Sequence, residues 1–285
     1  MIHIEEIDDP RILPYRNLRD RTLRGESIFI AEGSVVVERL LRSRYRAESV
    51  LVAEEHAARL AAMAGDSPVY VATAEMLRQI AGFNFHMGAL AVGCRPPDMR
   101  LDELMNDSVV RTAALGSSPA LVSAGALLDT PCGVVVCPAV TKPENLGLLF
   151  RSAAAFGMRG IVLGPSCCDP LSRRCVRVSM GAVLEVPYVR GEDILADLRA
   201  LRHTWQFERV AAVLDDTAEL LDTVRPARRT ALVFGNEFDG LTPGWLAECD
   251  RRVTIPMSQA VDSLNLGVAA GIFIYHWASA YRKEL

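Results

Sequence analysis

At 285 residues, half of them hydrophobic, the chain is long enough for two domains that each bury a core, which excludes general disorder. A net charge of -4 and an isoelectric point near 5.8 argue against nucleic-acid binding through bulk charge and leave local basic clusters as the electrostatic footprint. The opening residues carry Glu5, Glu6, Asp8, Asp9, Arg11 and Arg16 where a secretory signal needs an apolar run, so a cytosolic (cytoplasmic) chain is expected.

In chain order, short apolar runs alternate with helical patterns from Ser27 onward. Strands are predicted at Ser27–Ala31, Ser49–Ala53, Val69–Ala72 and Ala89–Gly93, with helices at Ser34–Arg42, Glu54–Ala64 and around Glu75–Ala81 between them. This is a small α/β domain over residues 1–95. Pro96 and Pro97 end it, and residues 96–130 read as an interdomain linker rich in Ser, Asp and Pro. The most apolar stretch, 120–140, is broken by Asp129, Pro131 and Gly133 and is too interrupted to span a bilayer as one helix.

Residues 131–285 resume the alternation. Strands are predicted at Val134–Cys137, Gly160–Leu163, near Leu184–Val189, and at Val210–Leu214, Ala231–Phe234 and Arg252–Ile255. Helices are predicted at Leu146–Phe156, Leu171–Ser179, Ile194–His203, Pro243–Ala247 and Leu264–Tyr281. Helices separating apolar strands imply a mainly parallel sheet with ligands at the strand C-termini. The seven cysteines form neither a C-x-x-C pair nor a zinc pattern, so reduced, mostly buried thiols and no metal are expected. Arginines cluster at Arg11, Arg16, Arg19, Arg21 and Arg24, at Arg39, Arg42, Arg44 and Arg46, and at Arg173, Arg174 and Arg177. On composition alone these are solvated helix faces balanced by Glu26, Glu32, Glu38 and Glu48.

Three segments at strand ends hold polar residues that a core does not need. In Thr141–Gly157, Asn145 sits where an N-cap belongs, Gly157 where a C′ glycine belongs, and Arg151 lies among apolar neighbours. In Ala231–Pro243 an apolar strand runs into a glycine-bracketed loop with Glu237 and Asp239, and Gly235 lets backbone approach a ligand closely. In Val253–Gly271 a strand stops at Pro256, and Ser263 and Asn265 open the last helix, with Ser263 the N-cap candidate.

In this order and spacing the three segments resemble the signature motifs of the SPOUT superfamily, in particular its SpoU/TrmH-type RNA ribose 2′-O-methyltransferases. The likeness runs from Val134 to the C-terminus. It extends to Arg19–Val37 and the His86–Val92 strand, which look like the ribosomal-protein-like substrate-binding domain of many members. Lys142-Pro143-Glu144 departs from the common Asp-Pro type lead-in, and Gly267 stands where Ser or Ala is common.

The resemblance implies an α/β C-terminal domain with a deep trefoil knot, a homodimer formed through that domain, and S-adenosylmethionine held in three loops by Phe234 and Gly235, Ile255 and Met257, and Leu264. It implies further that Arg151, Asn145, Glu237, Ser263 and Asn265 carry methyl transfer to a ribose 2′-hydroxyl of RNA, with ribosomal ahead of transfer RNA because of the extra N-terminal domain. A nucleotide-dependent oxidoreductase fails on sequence, since neither G-x-G-x-x-G nor the P-loop pattern occurs. A ribosome-associated RNA-binding protein that has lost catalysis is the alternative, and retention of those five polar residues argues against it.

Overall fold

The computed structural model describes residues 1–18, 26–82, 87–106, 109–110, 120–121, 131–258 and 263–282. Arg19, Arg21, Arg24, His86 and most of the expected linker lie outside them. The chain forms two compact units, Met1–Pro97 with Asp169–Glu185, and Asp98–Cys168 with Val186–Leu285. Among the described residues no helix is long and apolar enough to cross a membrane. The seven cysteines are free thiols, and Cys132, Cys137, Cys167 and Cys175 are buried.

The first unit contains β1 (Ile2–His3), β2 (Ile28–Glu32), α1 (Ser34–Arg42), β3 (Ala47–Ala53), α2 (Glu54–Ala61), β4 (Val69–Ala72), α3 (Ala74–Ala81) and β5 (Ala89–Cys94). Its sheet runs β1-β4-β3-β5-β2, with β1, β4 and β3 parallel and β5 antiparallel to both of its neighbours. Helix α1 forms because Val36, Val37 and Leu40 recur at helical spacing and bury one face. Thr73 caps α3 by accepting from the Met76 amide at 3.2 Å, and Gly82, at φ +76°, ends it. Ile12, Tyr15, Ile30, Leu51 and Leu90 fill the core, where Tyr15 shares a 2.7 Å hydrogen bond with Ser49.

In the second unit, α4 (Leu101–Asn106) lies within the stretch expected to be linker, which corrects that reading in part. The apolar residues Leu104 and Met105 bury themselves there, against strands of the following sheet. The two-residue strands β6 (Val109–Val110) and β7 (Ala120–Leu121) pair with each other. Then come β8 (Cys132–Cys137), α5 (Pro143–Ala155) and β9 (Gly160–Leu163).

Residues Asp169–Glu185, with α6 (Arg173–Val178), belong to the first unit. There Arg173 and Arg177 pair with the buried Glu32 at 2.9 and 3.0 Å, and Arg95 grips Asp169 through two hydrogen bonds of 3.0 and 2.6 Å. Two of the expected basic cluster are therefore engaged internally.

The second unit resumes with β10 (Tyr188–Arg190), α7 (Ile194–His203), β11 (Glu208–Ala212), β12 (Glu219–Leu220), β13 (Arg229–Phe234), α8 (Pro243–Ala247), β14 (Arg251–Thr254) and α9 (Leu266–Arg282). All seven strands of its sheet are parallel, in the order β10-β9-β8-β13-β11-β14-β12. Strands β8 and β13 are buried along their whole length, as the continuous apolar runs of interior parallel strands require. The chain winds to β9 and β10 on one side of β8 and to the later strands on the other. Such a reversal of strand order opens a crevice beyond the strand C-termini.

Candidate active site

That crevice is occupied by a cleft of about 680 Å³. Its walls come from the residues following β11, β13 and β14 and from the start of α9. Phe234 and Phe273, both buried, meet edge to face at 5.7 Å in its floor, while Leu214, Ile255, Met257 and Leu264 add apolar wall.

A chain of hydrogen bonds ties the three expected segments together at its edge. Asn145 donates from Nδ2 to Glu237 Oε1 at 2.9 Å and accepts at Oδ1 from Asn265 Nδ2 at 2.8 Å. Glu237 also accepts from the backbone N–H of Lys142 at 3.0 Å, and from the N–H and hydroxyl of Thr141 at 3.2 and 3.1 Å. Asn265 Oδ1 in turn accepts from the amides of Gly267 and Val268 at 2.9 and 3.3 Å. Partial burial works against the charge on Glu237. The donors from Asn145, Lys142, its own amide and Thr141 outweigh it and hold the carboxyl below its ordinary range.

Two cap assignments change. Helix α5 starts at Pro143, whose fixed φ suits the first helical position, so Asn145 lies inside the first turn, buried, with its side chain free to bridge the loops. Asn265, and not Ser263, satisfies the first amides of α9. Gly157 does close α5 at φ +70°.

Gly235 is required by packing within its own loop. A Cβ there would lie 2.2 Å from the Gly240 carbonyl carbon and 2.5 Å from the Leu241 nitrogen, and backbone cannot yield that much. Asn236 shapes the turn, exchanging backbone hydrogen bonds with Gly240 and accepting at Oδ1 from the Phe238 amide at 2.9 Å.

Asn145, Glu237, Ser263, Asn265, Phe234, Gly235, Ile255, Met257 and Leu264 all line the cleft. Arg151 does not. It is exposed on α5, about 9 Å farther along the helix axis than Asn145 at 1.5 Å per residue. Among the described residues it makes no hydrogen bond or ion pair. Sequence reasoning misses Lys142, Leu214, Asp215, Phe238 and Arg252, which also line the cleft. The available signal for Phe238 was a large aromatic side chain between two acids in a glycine-bracketed loop, where no packing periodicity calls for one.

Residues 133–275 match the SpoU rRNA Methylase family. The chain is 36% identical over 278 residues to an uncharacterized tRNA/rRNA methyltransferase of Mycobacterium tuberculosis, a match covering 94% of this chain and 88% of that protein. It is 28% identical over 207 residues to the 23S rRNA (guanosine-2′-O-)-methyltransferase RlmB of Acinetobacter baylyi, covering 73% and 76% of the two chains. Its fold is similar to that of an AdoMet-bound rRNA methyltransferase from Sinorhizobium meliloti, with a TM-score of 0.74 at 24% identity over 99% of this chain and 98% of that one. A full-length likeness to a named methyltransferase and a family match spanning all three cleft-forming segments lead to one assignment: the chain belongs to the SpoU rRNA methylase family.

Proposed function

We propose that this enzyme, an RNA methyltransferase dependent on S-adenosylmethionine, methylates a ribose 2′-hydroxyl of a structured RNA, ribosomal RNA ahead of transfer RNA. The observation that carries the reading is the Asn145–Glu237–Asn265 hydrogen-bond chain bordering the cleft, which joins three segments far apart in sequence. The likeness to a guanosine-2′-O-methyltransferase supports the ribose hydroxyl and the ribosomal substrate.

The cleft fits the methyl donor. Its volume lies within the usual range for ligands of that size, and its lining combines apolar Ile255, Met257 and Leu264 with acidic Asp215 and Asp239. When bound, S-adenosylmethionine supplies an electrophilic methyl carbon beside a sulfonium leaving group. Phe234, Gly235, Ile255, Met257 and Leu264 hold it, and Ser263 and Asn265 shape the adjoining pocket and contact the RNA backbone. Asn145 orients the ribose, fixed in turn by Glu237.

Arg151 steadies the 2′-oxygen as alkoxide character develops. A guanidinium keeps its proton, so it acts by charge, and the proton leaves to water or an RNA phosphate. Because Arg151 lies outside its own chain's cleft, its delivery is assigned to a homodimer. Val268, Ile272 and Tyr275 form an exposed apolar stripe along α9; α5, which carries Arg151, packs along this helix, and its C-cap Phe156 meets the Tyr275 ring at 5.5 Å. A second copy seated on that stripe brings the guanidinium to the interface.

The remaining parts of the proposal follow the same reading. The first unit binds the RNA substrate, the enzyme works in the cytoplasm, and residues 131–285 form a deep trefoil knot. The family match over residues 133–275, whose resemblance implies such a knot, supports this part of the reading.

The test is transfer of labelled methyl from S-adenosylmethionine to total RNA of a strain deleted for this gene, followed by nucleoside analysis. A 2′-O-methylated nucleoside is expected. A base-methylated product refutes the ribose reading, and RNA binding without transfer points to the catalytically silent alternative.

A further inference from the structure

Phe238 is 75% exposed, more than any other large hydrophobic side chain among the described residues. Exposure on this scale has no packing cause, and the backbone that carries the ring is a fixed turn. Its amide donates to Asn236 Oδ1 at 2.9 Å, the Asp239 amide donates to the same oxygen at 3.4 Å, and Asn236 Nδ2 anchors the turn to the Ala139 carbonyl at 2.9 Å. The ring lines the cleft next to Glu237, and the Lys142 ammonium lies 4.6 Å from its centroid. The backbone amide of that same lysine donates to Glu237 at 3.0 Å.

A flat, exposed apolar ring with a cation over one face, at the mouth of a reaction cleft, matches the two parts of a nucleotide, base and phosphate. The ring offers a surface on which any base can stack, and the ammonium can pair with phosphate. A nucleotide whose ribose is to reach the cleft must leave its own stack, and a stacking partner at the rim offsets part of that loss.

Resting on the reading of the chain as an RNA methyltransferase, we propose that Phe238 stacks on the base of the nucleotide whose ribose enters the cleft, with Lys142 on the adjoining phosphate. Stacking tolerates every base and favours the larger purines. Phe238 is therefore a positioning residue for the substrate and does not touch the reacting oxygen.

The test compares the full chain with Phe238→Leu and Phe238→Trp, using labelled S-adenosylmethionine and total RNA from the deletion strain. Phe238→Leu is expected to raise KM for RNA about 5- to 150-fold, the range for loss of one stacked base. kcat and donor Kd should hold, and Phe238→Trp should restore KM. Ultraviolet cross-linking of the parent should place an RNA adduct on the Phe238 peptide. A KM within twofold of the parent, or an effect on donor Kd or dimer formation in place of RNA KM, overturns the proposal. Failure of the parent chain itself to label RNA overturns the enzymatic reading and this proposal with it. The two failures are told apart by which protein is inactive.

Discussion

Asn265 donates to the side-chain oxygen of Asn145 at 2.8 Å across 120 positions of sequence, so the cap of the last helix is also the support of a buried amide in the site. One side chain thus does two jobs, and they separate by substitution. Asn265→Ala removes the acceptor of the Gly267 and Val268 amides and should lower unfolding free energy by about 1 to 2 kcal/mol, together with methyl transfer. Asn265→Ser keeps a capping oxygen but no donating amide, so urea unfolding should recover while turnover stays low.

The carboxyl of Glu237 sits below its ordinary range in the folded protein. Its stabilising contribution is therefore complete above the unfolded carboxylate range and is lost as pH falls through the folded value. Urea midpoints followed downward through the acid range should drop less steeply for Glu237→Gln than for the parent. Equal slopes in the two proteins would remove Glu237 from the acid response.

Arg151→Ala should abolish transfer while fold and donor affinity, read by titration calorimetry, remain near the parent values. If the guanidinium serves the partner's cleft, mixing Arg151→Ala with a separately inactive Asn145→Ala chain should regain part of the activity, since a mixed dimer holds one complete site. No recovery on mixing, with mixed dimers demonstrated by mass, would assign the arginine to its own chain.

Glu32 is buried and faces Arg173 and Arg177. Glu32→Gln leaves two cations without their counter-charge. They are partly exposed, so water relieves some of the loss, and a cost of about 1 to 3 kcal/mol in unfolding free energy is expected. Unchanged denaturation would mean that the pairs contribute nothing net.

Much of the fold was legible because periodicity and burial agree. Ser34–Arg42, Ile194–His203 and Pro243–Ala247 are helices, and Val69–Ala72 and Gly160–Leu163 are strands, over the residues where the apolar spacing puts them. The strand expected near Leu184–Val189 starts only at Tyr188. Before it comes a 3-10 turn over Ala182–Leu184, because apolar residues there serve a turn whose spacing a short window cannot distinguish from a strand.

Cap positions were the weak point of the site. Asn145, Ser263 and Asn265 all carry side chains able to cap, and only the start of α5 at Pro143 and the reach of Asn265 decide among them. The position of Arg151 is legible as a motif residue, but a motif fixes its place in the chain and says nothing of which cleft it faces. The contact of Lys142 with Phe238 was hidden for a related reason, since it joins residues distant in sequence.

The membership of Asp169–Glu185 in the first unit bears on how the protein is made. When translation has delivered the chain only as far as Pro97, the Glu32 carboxylate still lacks both of its guanidinium partners, and Arg95 lacks Asp169. The stretch ending at Pro97 is therefore not the whole amino-terminal unit. Its last ionic fastenings wait until Arg177 has left the ribosome, and a fragment ending before that point is missing part of its own interior.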